Sequence, residues 1–238
     1  MKGIILAGGQ GTRLAPFTKM ISKHLLPVYN KPMISFPIEI LKNAGITDTL
    51  LIVSTENADE YMKLLGSGRD AGVKFTYALQ DKPEGIAHAF ILGEDFIGDD
   101  SVAVILGDNY FDDAFIDDIK NFSGGAKIFL KEVPNPTRYG VAEVDQNLMV
   151  VSIEEKPADP KSPYAISGFY LYDNSVVGKA KQLKPSARGE LEISDMNRLY
   201  LEEGKLSSAL LPGRWNDMGT FESWFQVSSW VRDKELGL

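Results

Sequence analysis

Buried parallel strands read as unbroken apolar runs rather than as strict alternation. Gly3-Ile4-Ile5-Leu6-Ala7 is such a run, and it gives way to Gly8, Gly9 and Gly11. Thr49 to Ser54, Val73 to Leu79, Val102 to Leu106 and Ala126 to Val133 are further strand-like runs. Between them the apolar residues change to helical spacing. Met33, Ile34, Ile38, Leu41 and Ala44 predict a helix over 32–44, stopped by Gly45. Pro37 either begins that helix or kinks it. Helices are also predicted over 57–65 and 113–122, and the stretch opening at 80–89 reads as a loop followed by a helix running to about Phe96. Strand and helix in alternation predict right-handed crossovers and a parallel sheet.

Beyond residue 133 the pattern changes. Val141 to Asp145 and Met149 to Glu155 flank Gln146-Asn147, a hairpin signal. Tyr164 to Tyr172 is a strand apolar on both faces, and Leu206 to Leu211 is a shorter one. Helices are expected over 174–183 and 190–203, and a last one capped by Thr220 and running to about Glu235. The expected fold is α/β: a Rossmann-like, doubly wound, mixed sheet. No repeat or long linker divides the chain. The expectation is one domain over 1–238 with a lobe of about 1–125 and a lobe of about 126–238.

Composition narrows the function. The formal charge of -8 argues against a general nucleic-acid or anionic-membrane binder. The absence of cysteine excludes disulfides, thiolate metal sites and cysteine nucleophiles, and two histidines exclude a histidine-rich zinc site. No signal peptide is recognised, and no apolar run approaches the ~20 residues needed to span a bilayer. A soluble cytoplasmic protein is expected.

Glycines at a strand's C-terminal end let backbone N–H groups approach an anion, and Arg13 follows them with a forked cation. Neither familiar phosphate loop fits. A Walker A loop lacks its Lys after the second glycine. A dinucleotide fingerprint would need a third glycine where Leu14 stands. Open α/β sheets bind ligands outside the carboxyl ends of their strands. The polar residues predicted there are Gly8 to Arg13, Gln80, Asp108, Glu155 with Lys156, and Asp217. Two aspartates suit Mg²⁺, which takes one or two carboxylates plus substrate phosphates.

These motifs give a specific resemblance. Gly8-Gly9-Gln10-Gly11-Thr12-Arg13-Leu14, Ser22-Lys23-His24-Leu25-Leu26-Pro27-Val28 and Lys31-Pro32-Met33 resemble the opening motifs of the sugar-1-phosphate nucleotidyltransferases. Gly107-Asp108-Asn109, Arg138-Tyr139-Gly140-Val141, Glu154-Glu155-Lys156-Pro157, 186–193 and Asp217-Met218-Gly219-Thr220 follow in family order across nearly the whole chain. The resemblance implies the nucleotide-diphospho-sugar transferase fold. It also implies Mg²⁺-assisted transfer of a nucleotidyl group, closest to thymidylyl transfer from dTTP to glucose-1-phosphate. By resemblance, Leu6, Gly8, Gly9, Gly11, Thr12, Arg13, His24, Gln80, Gly85 and Asp108 meet the nucleotide. Arg13 and Lys23 hold the departing pyrophosphate. Asp108 and Asp217 hold the metal. Asn109, Tyr139, Gly140, Glu155, Lys156 and Trp215 meet the sugar phosphate, with Lys156 on its phosphate. The reacting set is Arg13, Lys23, Asp108, Lys156 and Asp217.

Several readings stay open at this level. His24 stands where the family usually has glutamine, and it is read as a pocket-edge residue. Trp215 is either core or a sugar platform. UTP or an amino-sugar phosphate is the alternative substrate, and a non-catalytic sugar-nucleotide sensor the alternative class. A Rossmann dehydrogenase is more distant, given Leu14. Longer relatives carry extra C-terminal helices that contribute to subunit contacts and a regulatory nucleotide site, so feedback control and the tetramer are left open here, as is the choice between monomer and homo-oligomer.

Overall fold

The computed structural model describes residues 1–238, a mixed α/β chain. It forms two compact units. A glycine-loop unit comprises 3–82, 105–116 and 213–238, and a hairpin unit comprises 1–2, 83–104 and 117–212. The division therefore does not fall at one boundary near residue 125: chain returns join 105–116 and 213–238 to the N-terminal segment.

In the glycine-loop unit, strands Lys2–Ala7 and Lys74–Gln80 flank strand Asp48–Ser54, all parallel as the apolar runs predict. Gly3 faces Thr49 in that register, and a Cβ on Gly3 would lie 2.8 Å from Leu41 Cδ1. Helix Ser35–Asn43 buries Phe36, Ile38, Ile40 and Leu41. Pro37 is its third residue, in the first turn, where the missing N–H costs no intrahelical bond. Helix Ala58–Leu65 follows Asn57 as predicted.

A second, antiparallel pair was invisible in the sequence. Asn109–Phe111 pairs with Trp215–Asp217, setting Asp217 opposite Asn109. The Met218 amide donates to the Asp108 carbonyl at 2.8 Å and extends this join. The closing helix Phe221–Leu236 begins where expected: Thr220 and Ser223 form a reciprocal capping box. Its Val227 and Val231 pack with Val28, Met33, Phe36, Tyr110 and Met218, with Trp224 and Trp230 against them. Each such burial contributes about 1.5–3 kcal/mol.

In the hairpin unit, strand Ala126–Glu132 lies between Tyr164–Tyr172, antiparallel to it, and Leu206–Leu210, parallel to it. Gly140–Val144 and Val150–Glu155 form the predicted antiparallel hairpin. Its turn is held by Asp145, whose Oδ1 accepts from the Asn147 and Met149 amides, with Leu148 at φ 62°.

Helix lengths are where the reading differs. The helix expected over 113–122 shrinks to Ile116–Lys120, because Phe115 sits at φ 56°. The helix expected to about Phe96 is two short ones, His88–Leu92 and Glu94–Ile97, divided at Gly93. Those expected over 174–183 and 190–203 are Val176–Ala180 and Ile193–Glu202. No helix is long and apolar enough to cross a membrane.

Candidate active site

The first strand ends at Ala7, and Gly8 follows beside the Gln80 side chain: a Cβ on Gly8 would stand 2.6 Å from Gln80 Oε1. Gln80 itself is buried. Gly11 takes φ 63°, and its carbonyl accepts from Thr18 Oγ1 at 2.9 Å. A short 3-10 turn, Thr12–Leu14, comes next, and Leu14 is wholly buried. That burial explains the departure from the dinucleotide fingerprint: here the position anchors the loop in the core. Arg13 and Thr12 remain exposed beside it. A cavity of about 280 Å³ adjoins the loop, lined by Gly8, Gly9, Gln10, Thr18, Ser22 and Asn57 among others.

Lys23 lies along this loop. Its Cβ is 3.0 Å from where a Gly11 Cβ would stand, and its Nζ is 3.5 Å from the same point on Gly9. The two glycines thus make room for the lysine stem as well as for a ligand. Lys23 Nζ donates to Asp108 Oδ2 at 2.5 Å, with both side chains largely buried. Asp108 Oδ1 accepts from Asn109 Nδ2 at 2.9 Å, and Asn109 Oδ1 accepts from Trp215 Nε1 at 2.7 Å. Burial pushes the Asp108 carboxyl up, but the Lys23 charge and these hydrogen bonds outweigh it and hold Asp108 well below the usual carboxylate range. Asp217 pairs with Arg13 Nη2 at 3.7 Å. Each of the two aspartates predicted to hold a metal is therefore partnered by one of the two cations predicted to hold pyrophosphate.

No group of three or more His, Cys, Asp or Glu side chains is placed to hold a metal ion. Two carboxylates on paired segments, one of them buried and ionised, suit a hard cation that takes its remaining ligands from water and substrate phosphates. The donor set fits magnesium and does not fit a closed protein cage.

His24 is not at a pocket edge. Its side chain is 2% exposed, and its Nδ1 lies 2.9 Å from the Tyr61 hydroxyl and 3.3 Å from Ser22 Oγ. The expectation that its ring meets the nucleotide is not supported by this placement. Burial first, then the Lys23 charge, lowers its pKa to about 3. The unfolded chain takes up a proton near 6.5 that the folded chain refuses until about 3, so stability falls as pH drops through that window. We expect a loss of about 2 kcal/mol between pH 7.5 and 5 from this group. Urea melts at the two pH values should show it, and His24→Asn should reduce the difference; an unchanged difference contradicts the assignment.

The hairpin unit gathers a second set. Glu155 and Lys156 end strand Val150–Glu155, and Glu155 faces Gly140 in the hairpin register. Lys156 takes φ 45°, a strained backbone for a non-glycine residue, held by its amide donating to the Tyr139 carbonyl at 3.0 Å. Glu155 accepts from Ser194 Oγ, lies 3.2 Å from Arg188 Nη2 and 3.4 Å from Lys156 Nζ. Arg188 also pairs with Glu192 at 2.8 Å and Glu190 at 3.5 Å. A Cβ on Gly140 would stand 2.8 Å from Ser194 Oγ. Gly85 takes φ 95°, and a Cβ there would lie 2.4 Å from the Leu191 carbonyl oxygen.

Leu6, Gly8, Gly9, Gly11, Thr12, Arg13, Lys23, Gln80, Asp108, Asn109, Trp215 and Asp217 all belong to the glycine-loop unit; Gly85, Tyr139, Gly140, Glu155 and Lys156 belong to the hairpin unit. Trp215 is buried, and its Nε1 donates at 2.7 Å to Asn109, another residue expected to meet the sugar phosphate. The structure adds Arg188, Ser194 and Tyr61. Arg188 and Ser194 lie in or beside the 186–193 motif and carried a signal; Tyr61 carried none.

The chain matches the family described as Nucleotidyl transferase over residues 2–234. It is 53% identical to the glucose-1-phosphate thymidylyltransferase of Neisseria meningitidis serogroup A over 239 residues, covering 98% of this chain and 83% of that protein. A chain described as a glucose-1-phosphate thymidylyltransferase from Bacillus anthracis, solved in complex with a sucrose, superposes with a TM-score of 0.93 at 48% identity, covering 98% of this chain and 96% of that one. A UDP-glucose pyrophosphorylase complexed with UDP-glucose gives a TM-score of 0.84 at 25% identity, with 98% of both chains covered.

Proposed function

The chain belongs to the nucleotidyl transferase family, and on that footing we propose that it transfers a thymidylyl group from dTTP to glucose-1-phosphate, giving dTDP-glucose and pyrophosphate. The observation that carries the reading is the pairing of two cations at the glycine loop, Lys23 from the turn beside it and Arg13 within it, with Asp108 and Asp217. The names of its relatives at about half identity supply the substrate class.

An oxygen of the sugar phosphate attacks the α-phosphorus of dTTP. The new phosphorus–oxygen bond forms as the bond to the β-phosphate oxygen breaks, and pyrophosphate leaves with that electron pair. A phosphate monoester has its second pKa near ~6, so the nucleophile is ionised at pH 7 and needs no general base. His24 is not one, being buried and neutral. The barrier is mainly electrostatic, because two anions must meet. Lys23 and Arg13 exchange their aspartates for the departing pyrophosphate. Asp108 and Asp217, released from these cations as the nucleotide binds, would hold Mg²⁺, which when bound would neutralise and align the phosphates. Gln80 reads the base, its amide matching the O4 acceptor and N3–H donor that thymine and uracil share. Lys156 takes the sugar phosphate's charge and Glu155 accepts from sugar hydroxyls.

Lys156→Ala is expected to raise KM for glucose-1-phosphate about tenfold or more, and KM for the nucleotide by less than about threefold. Steady-state kinetics with each substrate varied will decide it, and the reverse pattern would reassign this lysine.

The nucleoside is the most open part, because Gln80 alone does not separate dTTP from UTP. Pyrophosphate release with Mg²⁺ and glucose-1-phosphate, measured against dTTP, UTP, CTP, ATP and GTP, tests it. The fastest sugar-dependent release is expected with dTTP. Equal or faster release with UTP keeps the family and changes the product.

A further inference from the structure

Three separate stretches meet at one phenolic oxygen. Tyr61, on helix Ala58–Leu65, is wholly buried, and its hydroxyl lies 3.0 Å from the Ala7 carbonyl, 2.6 Å from Ser22 Oγ and 2.9 Å from His24 Nδ1. Ala7 is the last residue before the glycine loop, and Ser22 and His24 flank Lys23. The neighbouring Glu60 takes the Ser22 amide at 3.1 Å, so the same helix grips this turn twice.

The protons can be placed. A carbonyl only accepts, so Tyr61 donates its single proton to Ala7. In that arrangement its oxygen accepts from Ser22 Oγ–H, and from His24 Nδ1–H in the tautomer that carries this proton; Ser22 Oγ also lies 3.3 Å from Nδ1. Burial raises the Tyr61 phenol well above its ordinary range, so it remains a donor throughout the functional pH range.

We propose that Tyr61 is a positioning residue for the transfer step: its buried hydroxyl fixes the spacing between the end of the first strand, from which the glycine loop springs, and the turn that carries Lys23. The proposal rests on the reading above that Lys23 holds the departing pyrophosphate. Lys23 is closely held, its Nζ 2.5 Å from Asp108 Oδ2 with both side chains largely buried. Misplacement of a charged contact by about 1 Å costs as much as weakening it outright.

The test is titration calorimetry with magnesium pyrophosphate on the full chain, comparing wild type, Tyr61→Phe, Lys23→Ala and the double variant, with thermal melts to confirm folding. Tyr61→Phe keeps the ring and removes only the oxygen. It is expected to weaken pyrophosphate binding roughly tenfold, with glucose-1-phosphate binding unchanged. Lys23→Ala should weaken it at least as much, and the double variant no further. A purely structural role would instead multiply the two losses, and that result, or wild-type affinity in folded Tyr61→Phe, overturns the proposal. Wild-type affinity in Lys23→Ala overturns the Lys23 reading itself and this proposal with it. If Tyr61→Phe does not fold, Ser22→Ala removes one donor to the same oxygen and takes its place. About a threefold loss that vanishes in the Lys23→Ala background is then expected, and an additive loss overturns the proposal.

Discussion

An Asp108→Asn variant is expected to lose about 10³-fold in kcat while remaining folded. The carboxylate carries two distinct contacts: Lys23 on Oδ2 at 2.5 Å and Asn109 on Oδ1 at 2.9 Å. Both partners are donors. An amide offers one acceptor and one donor, so whichever way it turns, one partner meets an N–H instead of an oxygen. The charge is lost as well, which leaves Lys23 with no counter-charge in a largely enclosed setting. Loss of one charged hydrogen bond costs about 1.5–3 kcal/mol. For a chain of this size that lowers Tm by roughly 5 °C, short of unfolding it at room temperature. The loss in turnover is larger than the loss in stability because the same oxygen is a proposed metal ligand. Near-normal kcat in a variant whose circular dichroism and melt show it folded would refute the metal assignment.

Gly85→Ala is expected to destabilise the hairpin unit by about 3 kcal/mol and to weaken nucleotide binding at the same time. Two independent costs coincide at this residue. Its φ of 95° lies outside what an alanine tolerates, and the added Cβ would stand 2.4 Å from the Leu191 carbonyl oxygen and 2.7 Å from the Leu191 nitrogen. Those are backbone atoms, so no rotamer change relieves the clash. The surrounding strap has no slack: the Leu191 amide donates to the Glu84 carbonyl at 2.8 Å, and the Leu191 carbonyl accepts from the Ala87 amide at 3.2 Å. Differential scanning calorimetry should show Tm lowered by about 6–12 °C. A change under about 2 °C would mean the loop shifts freely. As a contrast, a Cβ on Gly8 closely approaches the end of the Gln80 side chain rather than backbone, so the effect of Gly8→Ala should fall on base recognition more than on Tm.

Strands whose partners lie next to them in the alternating pattern were plain in the sequence. The runs at residues 3–7 and 49–54 became parallel strands because each is apolar on both faces, while Lys74–Gln80 pairs beside them with Phe75 buried and Lys74, Thr76 and Leu79 exposed. Thr220 was legible as a cap for the same kind of reason, since capping chemistry is local. The Asn109–Phe111 and Trp215–Asp217 pair was not legible. Each strand has three residues, and the partner lies more than a hundred positions away, so no periodicity announces it. That pair is also what brings Asp217 beside the Asp108 segment, so the sequence could nominate both aspartates without joining them.

Helix length failed where side chains were claimed by something else. Glu190 and Glu192 fit a helical pattern, but both pair with Arg188, and the helix starts only at Ile193. His24 shows the limit for single residues. Its neighbours in sequence suggested a nucleotide contact, while Tyr61, distant in sequence, decides where its ring points.

Phosphorus-31 NMR of the protein with dTTP, glucose-1-phosphate and Mg²⁺ tests the central claim most directly, because it reports which phosphorus is attacked. The account predicts that dTTP and glucose-1-phosphate disappear together, and that the resonances of a sugar-linked diphosphate and of pyrophosphate grow in equal amounts. Release of orthophosphate with dTDP, or loss of dTTP that does not depend on the sugar phosphate, would place the attack elsewhere and contradict it.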